Sequence, residues 1–518
     1  MKCVYEANAV GSRGCYLSDN RAGTLEQNLR EMERTRETYW RRYPQSSPYK
    51  LRWRALTVRH SFHVLPSESI LEIGAGGGIW TRELAAVFRG ENEITAAIFN
   101  GDLAESKDWA EIASVRRRVI TSLRELPEES FDYIIGTAIL CHDRFAENLS
   151  ALYRLLKPGG QILFFEQNFR NPQVFVKSVI PAIGRWSGNA RCQIGIGKTD
   201  FRNNAWQRGF RDIEAVPYDI IHPLLPKRAL PAVQSVAFIF EHTPVVRDLC
   251  GTFYLWARKP GGPRTRPTVN LARHCQFRKA VSFVVPCHNE ETTIGPLVKA
   301  LTNYFGDYIH EIILVNDNSK DGTAEVADEI ARENRSVRVI HRKPPNGVGR
   351  ALRDGYAAAT GAYIFTMDSD FVQIVPEMRD LFDAVAEGYD GAIGSRFTQE
   401  SVMVNYPFAK IISNRLFHLL ARQSLRLGFH DISNNLKLYK AEILKNLEIT
   451  EHHFAANAEI GLKSIAAGYR IKEVPVSWIN RTADMGSSSF RLLDVGPHYL
   501  RALWDVVRWM RDLRTAGR

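Results

Sequence analysis

Ser69-Ile70-Leu71-Glu72-Ile73-Gly74-Ala75-Gly76-Gly77-Gly78 decides the reading of the first half of this chain. Ser69–Ile73 is a short apolar run of the kind that forms a buried strand, and glycines crowd the turn that follows it. Glycine lets a backbone turn sharply and approach a bound group without a Cβ clash. Trp80–Phe88 then has helical spacing, so the glycine loop opens a helix. Strand, glycine loop and helix in that order form the ligand-binding corner of an open α/β sheet. The dinucleotide fingerprint G-x-G-x-x-G would place its last glycine at position 79, and that residue is Ile79.

The rest of the chain repeats the alternation. Ile94–Phe99, Asp132–Ala138, Gly160–Gln167 and Gly251–Lys259 are further strand candidates in the first half, the last as its closing strand. Val281–Val285, Glu311–Val315, Val337–His341, Ala362–Met367 and Gly391–Ser395 follow in the second half, with helical segments between them. Short apolar and β-branched runs alternating with helices predict mainly parallel α/β sheets. Lys259–Asn270 is rich in Pro, Gly and Arg and nearly free of apolar residues, which marks a linker. The expected division is an N-terminal helical extension over 1–49, with a surface helix at Arg30–Arg42, and a first domain over 50–259. A basic linker over 260–279, a second domain over 280–490 and a basic amphipathic helix over 491–518 complete it.

The chain has 518 residues, 45% apolar and 24% charged, which excludes a disordered, collagen-like or coiled-coil protein. No run approaches the ~18 apolar residues of a membrane span. The opening MKCVYEANAV lacks a signal peptide's apolar core, so a cytoplasmic location is expected. Seven scattered cysteines with no C-x-x-C argue against a disulfide framework and a zinc site. The net charge of +11 suits phosphorylated ligands, nucleic acid or an anionic membrane surface. Nucleic acid is disfavoured, because only Phe277 is interleaved with the linker's Arg residues and bases need aromatic platforms.

With Glu72 just before Gly74, Gly76 and Gly78, the glycine loop resembles motif I of class I S-adenosylmethionine-dependent methyltransferases. Phe131-Asp132-Tyr133-Ile134-Ile135 and Leu156-Lys157-Pro158-Gly159-Gly160 resemble that family's fourth strand and the turn before its fifth. The resemblance implies a Rossmann-like fold, S-adenosylmethionine as cofactor, and Glu72, Gly74, Gly76 and Gly78 at its site. Two positions depart from the family. Ile98 stands where a ribose-binding carboxylate is usual, leaving Asp102 as the nearest, and Ser122 stands where an adenine-contacting Asp is usual. Were the acceptor an oxygen, His142, beside Asp143, is the candidate base, and Glu166 is a lesser candidate.

In the second half three polar clusters end three successive strands: Pro286-Cys287-His288-Asn289-Glu290, Asn316-Asp317-Asn318, and Asp368-Ser369-Asp370. Two carboxylates one residue apart on a bend can face one hard cation, Mg2+ or Mn2+, shared with a diphosphate. The set resembles an inverting family 2 glycosyltransferase of GT-A fold, nearest to the polyprenyl-phosphate, dolichyl-phosphate mannose synthase-like branch. That resemblance implies a nucleotide-sugar donor, UDP- or GDP-linked, held by Pro286, Asn289, Glu290, Asn316 and Asp317, with the metal on Asp368 and Asp370. Arg396, and Arg481 with Gly486 and Ser488, match its phosphate-contacting segments, and Asn346–Ala351 its glycine-rich turn. Glu459 stands where the wider family places an acidic residue near the acceptor, and Asp431 is the second candidate base. A hydroxyl acceptor needs such a base, whereas a polyprenyl phosphate is already anionic and needs cations, for which Arg396, Arg415, Lys437 and Arg481 are candidates.

Leu500, Leu503, Trp504, Val507 and Met510 lie at helical spacing in a basic C-terminal segment, which permits docking on its own domain or peripheral contact with the inner face of a membrane. The expected protein is a bifunctional enzyme that transfers a sugar to a polyprenyl-phosphate or glycan acceptor and methylates through its first domain. The alternative is a glycosyltransferase whose methyltransferase-like domain binds or scaffolds without catalysis.

Overall fold

The computed structural model describes residues 24–112, 115–140, 142, 144–186, 190, 193, 196–230, 233, 240–241, 243, 245–261, 274–398, 400–404, 408–425, 428–479 and 492–516. Two seven-stranded sheets carry the chain, one in each half. The first is built from β1 (Ser69–Ile73), β2 (Glu93–Ile98), β3 (Val115–Val119), β4 (Phe131–Thr137), β5 (Leu156–Gln167), β6 (Arg211–Tyr218) and β7 (Thr252–Arg258). Its order is β3-β2-β1-β4-β5-β7-β6, parallel from β3 to β5, with β7 antiparallel to both β5 and β6. The order reverses between β1 and β4, and in such open sheets ligands bind beyond the strand ends at that reversal. The segment expected to close the sheet is β7, but β6 lies outside it.

The second sheet uses β8 (Val281–Cys287), β9 (Ile309–Asn316), β10 (Val337–His341), β11 (Tyr363–Thr366), β12 (Gly391–Ser395), β14 (Lys437–Lys440) and β15 (Ile471–Pro475). Its order is β10-β9-β8-β11-β14-β12-β15, with β14 antiparallel to both neighbours. A two-stranded ribbon, β13 (Met403–Val404) with β16 (Trp478–Ile479), flanks it. The two-domain α/β architecture expected from sequence is the one observed.

The N-terminal helices depart from expectation. α1 (Leu25–Arg42) opens on a capping box in which the Thr24 side chain and Gln27 satisfy each other's backbone amides. It is not a surface helix: Leu29, Met32 and Trp40 are buried, and so are the charged Glu33, Arg36 and Glu37. α2 (Ser47–Phe62) runs through the expected boundary at residue 50 and buries Leu51, Ala55, Val58 and Phe62 against Ile70 and Trp80. Both helices therefore pack as part of the first domain. Lys259, the last residue of the expected first domain, is buried and donates to Glu129 Oε1 (2.9 Å) and the Leu156 carbonyl (2.8 Å). Residues 262–273 of the linker lie outside the described residues.

The halves dock through charge. Glu377, in the 3-10 helix Phe371–Met378, lies 3.1 Å from His60 Nδ1 and 2.9 Å from His63 Nδ1 of the first domain. Arg59 donates to both Asp380 carboxylate oxygens at 2.7 and 2.8 Å, Arg89 donates to Asp383 Oδ2 at 2.8 Å, and Arg379 donates to Glu91 Oε2 at 2.7 Å. The C-terminal helix Leu492–Ala516 docks on the second domain through Ala502, Leu503 and Val506, leaving Leu500 and Trp504 exposed. Among the described residues no helix is long and apolar enough to cross a membrane.

Candidate functional site

The ends of β8, β9, β11 and β12 converge on a cavity of about 630 Å³ lined by Pro286, His288, Glu290, Asp317, Asp368, Asp370 and Arg396. Asp317 ties its wall together: its Oδ2 accepts from the Gly347 amide at 2.6 Å, its other oxygen pairs with Arg342, and its carbonyl meets His288 Nδ1 at 2.9 Å. Gly347 has φ +152°, and a Cβ there would sit 2.2 Å from the His452 carbonyl oxygen, so only glycine fits this turn. Asn289 and Asn316 buttress the wall. Asn289 Oδ1 accepts from the Lys320 amide at 2.8 Å, and Asn316 Oδ1 accepts from the Ser319 amide at 3.1 Å.

Asp368 accepts from Asn435 Nδ2 at 2.7 Å, and burial together with the neighbouring Asp370 pushes its carboxyl up to about 7. Arg396 is held as a bidentate partner of Asp431, Nε to Oδ2 at 2.6 Å and Nη2 to Oδ1 at 3.1 Å. Asp431 also accepts from the Ser433 amide (3.2 Å) and hydroxyl (3.0 Å). Burial pushes its carboxyl up, but Arg396 outweighs burial and holds it well below the usual carboxylate range.

Glu459 is similarly committed. It accepts from the Thr450 amide and hydroxyl at 3.0 and 2.6 Å, from the Glu451 amide at 2.8 Å, and pairs with Lys463 at 2.7 Å. Burial is outweighed by these donors, and its carboxyl lies below the ordinary value. Both candidate bases, Asp431 and Glu459, thus accept hydrogen bonds that position neighbouring chain. Lys437 is buried, its Nζ bonded to the Asn434 carbonyl, and burial lowers its ammonium to about 7. Arg415 is half-buried, with its guanidinium 5.1 Å from the Phe397 ring centroid. Arg481, Gly486 and Ser488 lie outside the described residues.

The cavity has an apolar end. Leu416, Phe417 and Leu420 of the helix Phe408–Leu425 line it with Tyr499 and Leu500 of the C-terminal helix. The face continues outward through Ile412, Leu419 and Trp504, which are exposed.

In the first half, Gly74, Gly76 and Gly78 have φ of +71°, +59° and +85°, the left-handed region that motif required. Glu72 is buried and accepts from the Thr81 hydroxyl at 2.6 Å, and burial pushes it up to about 7. Helix α1 lies on this loop. Glu33 accepts from the amides of Gly76 (3.0 Å), Phe99 (3.1 Å) and Asn100 (2.6 Å), and Glu37 accepts from the Gly77 amide at 3.3 Å. Arg36 donates to the carbonyls of Gly74 and, at 3.1 Å, Thr137. Ile98 is buried among Ala75, Ala96 and Trp109, and Asp102 is exposed on a short 3-10 helix.

His142 is buried. Its Nδ1 accepts from the Arg144 amide at 3.1 Å, its Nε2 meets Asn148 Nδ2 at 2.8 Å, and burial lowers it to about 4. The candidate base His142 ties the start of the helix Phe145–Leu155 through these two bonds. Asp143 lies outside the described residues. Glu166 is spent on the Ile139 and Leu140 amides, both at 3.0 Å.

The family model for glycosyl transferase family 2 matches residues 282–448, and that for a methyltransferase domain matches residues 71–164. The chain joins a methyltransferase domain to a family 2 glycosyltransferase domain. The glycosyltransferase domain is 27% identical over 238 residues to the polyprenol monophosphomannose synthase of Mycolicibacterium smegmatis, covering 44% of this chain and 85% of that protein. It is 28% identical over 247 residues to the undecaprenyl-phosphate mannosyltransferase of Micrococcus luteus, covering 46% and 96%. A solved structure of Mycobacterium tuberculosis glucosyl-3-phosphoglycerate synthase with Mn2+ and UDP-glucose matches at 18% identity and TM-score 0.38, covering 47% of this chain and 84% of that one.

The two sites of this fusion differ in what they can hold. In the glycosyltransferase domain, Asp368 and Asp370 offer the oxygen donors that suit Mg2+ or Mn2+. Among the described residues no group of three or more His, Cys, Asp or Glu gathers to hold a metal by protein ligands alone. Asp368 and Asp370 both line the cavity, and such a pair suits a hard cation that takes its other ligands from a diphosphate. In the methyltransferase domain the residues do not fit S-adenosylmethionine as they stand. A Cβ added at Gly77 would lie 2.5 Å from Glu37 Oε1, and one at Gly76 would lie 3.1 Å from Glu37 Oε2, so the loop is in contact with α1. Sequence reading missed Glu33, Arg36 and Glu37, because they sit in a segment whose charge reads as surface. It also missed Arg342 and Asn435; the polar pair Asn434-Asn435, one residue ahead of β14, was the available signal for the latter.

Proposed function

We propose that the glycosyltransferase domain transfers a sugar from a nucleoside-diphosphate donor to a polyprenyl phosphate, with inversion at the anomeric carbon, at a membrane surface. The observation that carries this reading is the commitment of both candidate bases, Asp431 and Glu459, to bonds with neighbouring chain, together with a cavity that carries Arg396 and Lys410 and has an apolar end. A phosphate acceptor needs no base. Its oxygen attacks the anomeric carbon, the bond to the donor diphosphate breaks, and the electron pair leaves on the diphosphate, so no proton moves. When bound on Asp368 and Asp370, a divalent cation supplies charge stabilisation to that leaving diphosphate. Arg396, oriented by Asp431, offers a fixed cation at the same end of the cavity. Leu416, Phe417, Leu420 and Leu500 give the first isoprene units an apolar path towards the exposed faces of both helices. The relatives' names support this acceptor class and leave the donor base open.

For the methyltransferase domain, the filled loop supports the narrower of the two readings, a binding or scaffolding module, and no methyl-transfer step is derived. The test of the glycosyltransferase reading is to incubate the full chain with vesicles containing a polyprenyl phosphate, labelled GDP-mannose or UDP-glucose, and Mn2+ or Mg2+. The expected result is a labelled lipid that mild acid cleaves and a chelator prevents. Transfer to hydroxyl acceptors with none to the lipid phosphate would overturn it.

A further inference from the structure

We propose that helix α1 is a tethered occupant of the methyltransferase domain's cofactor cleft, seated where the amino-acid end of S-adenosylmethionine would otherwise bind. The inference concerns the first domain and stands or falls apart from the donor and acceptor of the second. The cleft is defined by topology. The sheet reverses between β1 and β4, and the crevice beyond those strand ends is where an open α/β sheet takes its ligand. Arg36 bridges that crevice, donating to Gly74 after β1 and to Thr137 at the end of β4. Glu33 bridges the glycine loop and the end of β2 through Gly76, Phe99 and Asn100.

The chemistry of the occupant matches what it displaces. An amino-acid group carries an ammonium, which needs acceptors, and a carboxylate, which needs donors. α1 presents a guanidinium to two backbone carbonyls and two carboxylates to backbone amides at the same loop. A buried amide or carbonyl without a partner is costly, so the cleft gains by keeping them. An incoming cofactor must therefore replace a full set of bonds and expel side chains in van der Waals contact with the loop. The position that would repay this through the ribose holds Ile98, which turns into an apolar cluster and offers no carboxylate.

α1 is also anchored away from the cleft. Leu29 and Met32 are in the domain core, and Arg41 donates to Asp108 Oδ2 at 2.7 Å. The helix is an integral part of the domain, and its polar side chains complete a cleft that the core residues hold shut.

The experiment is a titration of S-adenosylhomocysteine into the full chain and into a Glu33→Gln/Glu37→Gln variant, read by calorimetry and Tm. The same samples are followed by amide exchange over residues 74–78 and 97–101. The wild type is expected to show no binding at about 1 mM ligand and protected amides at Gly76 and Asn100. The variant is expected to exchange those amides about tenfold faster and to gain a measurable Kd. Binding by the wild type would overturn the proposal, and so would failure of both proteins to bind, since α1 would then not be the reason. If the variant does not fold, wild-type exchange decides alone: rapid exchange at Gly76 and Asn100 would show that Glu33 does not sit there in solution.

Discussion

Asp368 and Asp431 are both buried carboxylates, and their surroundings give them opposite tasks. Asp368 has one neutral donor, Asn435, and a like charge beside it, so it is a group that a cation would stabilise. Asp368→Asn is expected to lower sugar transfer by about 10²–10³-fold, the scale of removing one preorganised electrostatic contact, without a matching loss of Tm. Asp431 instead has a full set of donors. Its pKa is depressed, so its contribution to stability is present above the unfolded value and is lost as pH falls through the folded one. Asp431→Asn should cost about 3–5 kcal/mol in unfolding, because Arg396 is left without its buried partner. The pH profile of residual transfer should keep its shape, since no base has been removed; a lost acidic limb would restore Asp431 as the base. Asp317, Asp368 and Asp370 stood out in the sequence as carboxylates at strand ends, and the structure brings all three to the lining of one cavity. The roles of Glu33 and Glu459 were not legible, because their partners are chiefly backbone amides, which leave no mark in a sequence.

At the scale of elements, apolar runs gave away their strands, and polar ones hid theirs. β1, β2, β4, β5 and β8 to β12 lie where short apolar stretches predict them, because strands buried on both faces are continuous apolar runs. β3, Val-Arg-Arg-Arg-Val, is an edge strand with its arginines exposed, and charged edges are how sheets avoid further pairing. β14, Lys-Leu-Tyr-Lys, is short and holds a buried lysine, which a reading by hydrophobicity passes over. The C-terminal helix docks on its own domain by one face and leaves apolar side chains exposed on another. Leu503 and Val506 dock at 6% and 0% exposure, while Leu500 and Trp504 stand out at 52% and 65%. The exposed pair continues the apolar end of the cavity, so it is the part of the helix that the proposed membrane contact would use. Leu500→Ser/Trp504→Ser should leave Tm unchanged and weaken sedimentation with anionic vesicles by about tenfold at low salt, since it removes the exposed Leu and Trp that this helix adds to the apolar face. Unchanged sedimentation would move the membrane contact elsewhere.

At the scale of the whole molecule, the two domains meet at the 3-10 helix that follows Asp368-Ser369-Asp370. Asp370 stands just before the 3-10 helix Phe371–Met378, and seven residues on Glu377 meets His60 of α2 and His63 at its C-terminal end. Glu377 also accepts from the Ser477 amide at 2.7 Å and hydroxyl at 2.6 Å, so one carboxylate joins the methyltransferase domain, the loop carrying the D-x-D step and the strand pair that includes Trp478. Burial pushes this carboxyl up, but His60 and His63 outweigh burial and hold it well below the usual range. Its stabilising effect is therefore fully present above the unfolded value of about 4.3 and is lost as pH falls through the lower folded value. Near neutral pH the domains should unfold together in calorimetry, because the buried charges on each side lack partners once the other side leaves. Glu377→Gln keeps the shape of the side chain and removes its charge. It should split the single transition in two and lower sugar transfer through the displaced loop, with KM for the donor rising more than kcat falls. An Asp380→Asn exchange, which releases Arg59 farther from the D-x-D step, should loosen docking with a smaller effect on KM. A single unsplit transition in both variants would mean that the domains are held by contacts other than this cluster, and that docking does not reach the catalytic loop through Glu377.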